Sequence, residues 1–197
     1  LPDRPREVIG LVLKYLGARY NTENPGEHPA PIQELTAILK ALNAQVLTYS
    51  STEYQQALIL GDAWVAVGSS QDIAMMPEYG RTVAAVVPES GTALWADLWV
   101  QPRVSADQDN AERDAIAQRW IEFCWQPDVA TTLSLTSGAA SPGLFALERD
   151  QLPAQLREDA LVLPAESVLA KSEFLRPLAS PEAAERYRQL WRTMRSR

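Results

Sequence analysis

Apolar residues along this chain recur at two spacings, which predict two kinds of secondary structure. Steps of three and four residues, as at Val8, Leu11, Val12 and Tyr15, predict amphipathic helices. The unbroken apolar run at 63–67 is typical of a strand buried on both faces. Alternating helices and strands indicate an α/β protein with a mainly parallel sheet. The helices are predicted at 3–17, 31–41, 51–60, 70–77, 111–125, 127–137 and 181–195, and the strands at 46–48, 63–67, 82–87 and 89–102.

Polar residues at the predicted helix starts are interpreted as caps, because their side-chain oxygens accept the free N–H groups of a first turn. Asp3 is predicted to cap the first helix and Ser51 the third. Ser69 or Ser70 is predicted to cap the short helix after the strand at 63–67. This strand, turn and helix start form a place where a ligand can approach the backbone closely. A plain turn between a strand and a helix is the alternative.

The stretch 89–102 carries the strongest functional signal, because it places a carboxylate inside an apolar strand. Its side chains alternate, so Trp95, Asp97 and Trp99 share one side. A buried carboxylate is costly unless a partner satisfies it. An aromatic wall beside a carboxylate suits a ligand with methylene carbons and an ammonium head. We therefore expect Asp97 to be nearly buried and to face a cleft; the alternative is a core strand whose aspartate caps a helix.

Composition narrows the functional classes. The chain has 197 residues, 46% of them hydrophobic and 22% charged, which is typical of a soluble globular protein with one domain or two small ones. A net charge of −7 argues against a nucleic-acid surface and is compatible with a cationic ligand. The sequence has neither an apolar run of the roughly 18–20 residues that span a membrane nor a signal-peptide pattern. Since the chain begins at Leu1, we expect its natural start to be missing.

The residues that most enzymes use for covalent or metal chemistry are scarce. His28, the only histidine, lies in a polar loop, so we expect neither a Ser-His-Asp triad nor a Cys-His pair within this chain. With Cys124 as the only cysteine, a zinc site of histidine and cysteine has too few ligands. The glycine motifs that bind nucleotide phosphates are absent too. Cys124 is interpreted as a packing residue. The sequence therefore predicts a binding protein without a metal or cofactor, and not an enzyme.

Several segments together resemble a known family. In their order and separations they resemble the spermidine/putrescine-binding proteins of bacterial ABC importers, which are type II periplasmic binding proteins. The resemblance extends over about residues 4–195, and the Trp-x-Asp strand is its most specific part. The segments that carry it are 4–17, 53–67, 91–102, 120–130 and 136–142.

The resemblance implies an α/β fold of two lobes that close on a ligand, with helices on both faces of mostly parallel sheets. Residues 1–95 and 143–197 would form the second lobe. Residues 96–142 would be a return segment of the first lobe, whose opening part would precede Leu1. The implied function is a periplasmic or membrane-tethered extracellular component that binds a polyamine and delivers it to an ABC importer permease.

Individual residues match the family's ligand contacts. The resemblance implies that Asp97 grips an ammonium group and that Trp95 is the aromatic wall beside it. Glu7 corresponds to a second acidic contact, in the first helix. Ser51 lies where the family makes a polar contact, and Glu173 falls near another on the C-terminal stretch.

Two positions depart from the family pattern. Ser69 falls where the family has a stacking tryptophan, and Ala139 falls where it has an aromatic residue in a turn. These smaller side chains leave room for the alternative that the same fold binds a bulkier or differently charged solute. A further alternative, of another class, is a sensor or interaction module that uses the fold without transport.

Overall fold

The structure, a computed structural model, describes residues 1–27, 32–74, 76, 83–101 and 111–196. The helices are α1 (Pro5–Tyr15), α2 (Ile32–Asn43), α3 (Tyr54–Leu60), α4 (Ser70–Ala74), α5 (Ala111–Cys124), α6 (Pro127–Ser137), α7 (Ala154–Arg157), α8 (Glu166–Leu169) and α9 (Pro181–Arg195), with 3-10 turns at Pro142–Ala146 and Arg149–Gln151. The strands are β1 (Ala93–Leu94) and β2 (Glu173–Phe174).

The chain divides into two compact units. The first contains Leu1–Ser69, Met76–Ala96 and Glu166–Arg197, and the second contains Ser70–Met75 and Asp97–Ala165. The division between Ala96 and Asp97 lies one residue from the boundary between residues 95 and 96 that the resemblance implies. Assignment of the two units to the family's two lobes stays a prediction.

Residues 143–165 belong to the second unit, whereas the family resemblance grouped them with residues 1–95. The reason is packing, since the side chains of this segment bury themselves against α6. The cluster consists of Ala130, Leu144, Leu152, Leu156 and Val162. The second unit also buries Cys124, at the end of α5, as predicted.

The core of the first unit lies between α1, α2 and α9. Val8 and Val12 are buried as predicted, but Ile9 and Leu13 complete the buried face of α1, while Tyr15 is exposed. The apolar stripe is therefore rotated by about one residue from the predicted one, because α1 packs against two helices and not one. The other buried members of this core are Ala18, Leu35, Leu39, Tyr187, Leu190, Trp191 and Met194.

Two predicted helix caps are wrong. Asp3 does not cap α1, which begins after Arg4, and its carboxylate instead pairs with Arg195 at 3.2 Å. Ser51 does not cap α3 either. The hydroxyl of Ser50 accepts the N–H of Glu53 at 3.0 Å, because the chain turns one residue earlier than expected.

The ladder among the described residues is shorter than predicted. Ala93 pairs with Glu173 and Leu94 with Phe174, in parallel as expected. The predicted strands at 46–48 and 63–67, and the described part of 82–87, lie outside regular secondary structure. A parallel strand needs a neighbour from a distant part of the chain. Within the described residues, β1 has such a neighbour in β2, and the other predicted strands have none.

Some sequence-based expectations fall outside the described residues. These are the polar loop that contains His28, the end of the short helix near Pro77, and residue 82 of a predicted strand. Among the helices in the described ranges, none combines the length and apolarity that a bilayer crossing requires.

Candidate ligand-binding site

Asp97 is exposed, so the prediction that it is nearly buried is wrong. The reason is the early end of the ladder: β1 stops at Leu94, and residues 95–101 have no strand beside them within the described part of the chain. Trp95 is 51% exposed and Trp99 is 59% exposed for the same reason. The predicted alternation of a strand therefore does not produce a buried face here.

The carboxylate of Asp97 has no hydrogen bond or ion pair with any described residue. In the sequence it stands between two half-exposed indoles, those of Trp95 and Trp99. A free carboxylate beside an aromatic face can accept hydrogen bonds from an ammonium group while the ring contacts the ligand's carbons. The role of Asp97 as an ammonium contact stays a prediction, and the burial expected of it is absent.

Trp99 also belongs to an aromatic cluster of the second unit. Its ring lies 5.6 Å from that of Trp120, which lies 5.9 Å from that of Phe123. These separations are typical of favourable aromatic pairs. All three side chains remain about half exposed, so the cluster presents a ring surface and not a filled core.

Glu7 lies in the first turn of α1, where the positive end of the helix dipole favours an acidic side chain. Its carboxylate accepts a hydrogen bond from Arg4 at 2.9 Å, and the side chain is 30% exposed. An exposed pair of this kind contributes little to stability and is readily exchanged for another cation. The role of Glu7 as a second acidic ligand contact stays a prediction.

Glu173 is placed differently, because protein groups already engage its carboxylate. It accepts the backbone N–H of Tyr20 at 2.8 Å and the ammonium of Lys14 at 3.3 Å. The amide of Asn21 approaches its second oxygen at 3.4 Å. Burial acts to raise the pKa of Glu173, but the hydrogen bonds from Tyr20 and Lys14 outweigh it and hold the pKa below its usual range. The carboxylate is therefore ionised and paired.

The two predicted serine contacts lie near the starts of α3 and α4. Ser51 is half-buried in the turn before α3. Ser69 directly precedes α4, which begins at Ser70, so it occupies the position expected of a cap. Their role as ligand contacts stays a prediction.

Sequence reasoning missed Lys14, Tyr20 and Asn21, which surround Glu173. They lie more than 150 positions away from it in the chain. From the sequence, Lys14 is an ordinary basic residue in the last turn of a helix. Tyr20 and Asn21 are ordinary loop residues after Gly17. The local sequence holds no signal that pairs them with β2.

Solved structures establish the class of fold. The spermidine/putrescine ABC transporter substrate-binding protein PotD from Streptococcus pneumoniae superimposes with a TM-score of 0.72 at 23% identity, covering 98% of this chain and 55% of that one. A putative spermidine/putrescine ABC transporter from Listeria monocytogenes gives a TM-score of 0.65 at 24% identity, with 96% and 55% covered. These likenesses confirm the predicted α/β class and the periplasmic-binding-protein fold.

The chain belongs to the bacterial extracellular solute-binding protein family, whose model matches residues 4–155. Among curated relatives, the putrescine/cadaverine-binding protein of Pseudomonas aeruginosa is 29% identical, with 90% of this chain and 49% of the relative covered. The spermidine/putrescine-binding periplasmic protein of Salmonella typhimurium is 27% identical, with 88% and 47% covered. The putrescine-binding periplasmic protein PotF of Escherichia coli is 26% identical, with 86% and 44% covered. The chain thus spans about half the length of these relatives.

Proposed function

We propose that this chain belongs to the solute-binding component of an ABC importer that binds a polyamine, a linear cationic amine such as putrescine or spermidine. The observation that carries the proposal is the likeness, over most of this chain, to relatives named for binding putrescine, cadaverine or spermidine. The sequence resemblance to the same group of proteins includes the Trp-x-Asp motif at Trp95 and Asp97.

The chemistry of the candidate residues fits such a ligand. A polyamine carries ammonium groups joined by methylene carbons, so carboxylates and aromatic surface both suit it. Asp97 and Glu7 supply carboxylates, one without a partner among the described residues and one in an exchangeable pair. Trp95 supplies a half-exposed indole. The net charge of −7 attracts a cationic ligand over longer distances.

Location and partner follow from the same proposal. Relatives from Salmonella typhimurium and Escherichia coli are named as periplasmic proteins, so we place this protein in the periplasm or, membrane-tethered, outside the cell. Its partner is the permease of an ABC importer. The protein acts by binding and release, without catalysis.

A different solute is the second candidate, and two residues favour it. Ser69 and Ala139 stand where the resemblance calls for aromatic side chains, and each leaves room for a bulkier ligand. Loss of two stacking surfaces also reduces the apolar contact that a slender polyamine needs. Putrescine and spermidine are therefore to be tested beside bulkier or differently charged solutes.

Calorimetric titration of the natural full-length chain tests the proposal. We expect binding of at least one linear amine and a loss of about tenfold or more in affinity for Asp97→Asn, because hydrogen bonds to a charged group contribute about 1.5–3 kcal/mol. Asp150→Asn, an exposed aspartate of the same unit, is the matched control and should bind as wild type. The polyamine hypothesis is wrong if no amine binds, or if Asp97→Asn binds unchanged.

A further inference from the structure

We propose that Glu173 is a positioning residue of the polyamine site and not one of its ligand contacts. Its side chain holds the loop that fixes Glu7, and its backbone pairs with the strand that leads to Trp95. The inference rests on the proposed function and replaces the role that the family resemblance implies for Glu173.

The first step is the occupancy of the carboxylate. Lys14 and the N–H of Tyr20 share one oxygen, and Asn21 approaches the other. The Lys14 and Glu173 side chains are only 14% and 20% exposed. A ligand ammonium at this carboxylate would stand beside the Lys14 ammonium, and like charges at such a distance repel. The carboxylate of Glu173 is therefore an unfavourable place for a cationic ligand.

The second step leads from Glu173 to Glu7. The backbone N–H of Tyr20 donates to Glu173, and the Tyr20 hydroxyl donates to the carbonyl of Glu7 at 3.0 Å. The Tyr20 ring is buried and lies on Gly10 so closely that any Cβ there would come within 2.5 Å of Cζ. Tyr20 is thus a rigid bridge between the carboxylate and the first turn of α1.

A second connection runs in parallel. The guanidinium of Arg6 donates to Asn21 at 3.3 Å and to the carbonyl of Arg176. The Asn21 amide donates in turn to the carbonyl of Phe174 at 2.8 Å. The residue before Glu7 is therefore tied to the segment around β2 at two points, which restricts rotation of the helix start.

The third step leads from Glu173 to Trp95. The N–H of Glu173 donates to Thr92 at 3.0 Å, and the N–H of Leu175 donates to Leu94 at 2.9 Å. Trp95 follows Leu94 directly, so the ladder sets where its backbone begins. Glu173 is consequently a junction: its side chain supports the helix start that carries Glu7, and its backbone supports the strand that leads to Trp95.

Three variants of the natural full-length chain distinguish positioning from contact: Lys14→Met, Lys14→Arg and Glu173→Gln. If Glu173 positions the site, Lys14→Met and Glu173→Gln each weaken polyamine binding about five- to tenfold, which corresponds to one lost hydrogen bond of ordinary net strength. Lys14→Arg restores most of the affinity. Lys40→Met, which removes an exposed lysine from α2, is the matched control and leaves binding unchanged.

Direct contact gives the opposite sign for one variant. Removal of the Lys14 cation would then strengthen binding of a cationic ligand or leave it unchanged, and that result overturns the proposal. If the wild type binds no amine, the proposed function fails. The structural role of Glu173 is then tested by amide hydrogen exchange. Lys14→Met should then speed exchange at both Tyr20 and Leu175. Faster exchange at Tyr20 alone, or at neither residue, also overturns the junction.

Discussion

The three-helix core of α1, α2 and α9 and the apolar segments at 63–67 and 95–100 are both rich in large hydrophobic residues, yet only the first buries them. Leu39 in α2 is 1% exposed, whereas Trp64 is 95% and Leu98 is 76% exposed. Hydrophobic sequence alone therefore does not decide burial in this chain. What differs is the source of the backbone hydrogen bonds.

A helix satisfies its backbone within its own segment, so it can form first and pack its apolar face afterwards. A parallel strand depends on a neighbour far away in the chain. Here that dependence is visible in β1, which pairs with residues 80 positions later. Beyond Leu94 no described strand continues the ladder, and the apolar side chains that follow are exposed.

The largest effect on stability is expected when a leucine side chain is shortened to alanine in each of the two regions of the 197-residue chain. Leu39→Ala should lower the free energy of unfolding by about 2–5 kcal/mol, because it leaves a cavity between packed helices. Leu98→Ala should change it by less than about 0.5 kcal/mol, because the side chain is already in water. Urea unfolding followed by circular dichroism measures both. Equal losses would contradict the contrast between the two regions.

Helices were the part of the fold that the sequence predicted well. The spacing of Leu35 and Leu39 located the buried face of α2, and Pro181 located the start of α9. The strand predictions identified apolar segments correctly but not their partners, because pairing is a long-range property. The rotated stripe of α1 has a similar cause, since a helix between two neighbours buries more than one face.

In the candidate site too, local features were predicted from the sequence and long-range contacts were not. Trp95 and Asp97 were found from a local motif, and the structure places both at the surface. The partners of Glu173 were not found, because the contact between Tyr20 and Glu173 joins residues 153 positions apart. A sequence motif can identify candidate ligand-binding side chains, but it does not show the long-range hydrogen bonds that position them.

The next largest effect concerns the turn that starts β1. Gly91 has a φ of 89°, and a Cβ there would lie 2.1 Å from the carbonyl oxygen of Lys171. Gly91→Ala should therefore cost about 2–4 kcal/mol and disturb the ladder with β2. Gly17→Ala is the matched control, because Gly17 has a φ of 77° but open space around it, and should cost about 1–2 kcal/mol. Thermal unfolding compares them; a control that costs as much as Gly91→Ala would show that contact with Lys171 is unimportant.

The smallest effect is a pH dependence at the junction that joins the helical core to β1. Because its hydrogen bonds with Tyr20 and Lys14 lower the pKa of Glu173 in the folded chain, the unfolded chain takes up a proton here first as the pH falls. The stabilisation is thus fully present above the unfolded pKa of about 4.3 and is lost below it, as the pH falls through the folded value. Solvent screening keeps it below about 1 kcal/mol.

Urea unfolding at pH 6 and at pH 3 isolates this contribution. The wild type should be more stable than Glu173→Gln at pH 6, and the difference should shrink at pH 3, because a protonated Glu173 resembles glutamine. Amide exchange then locates the change: acid should loosen the Leu175 amide of the ladder and spare Leu39 in the helical core. A difference that stays constant between the two pH values would mean that the charge on Glu173 does not hold the junction. The supports of Glu7 and Trp95 would then rest on the backbone ladder and on Arg6 instead.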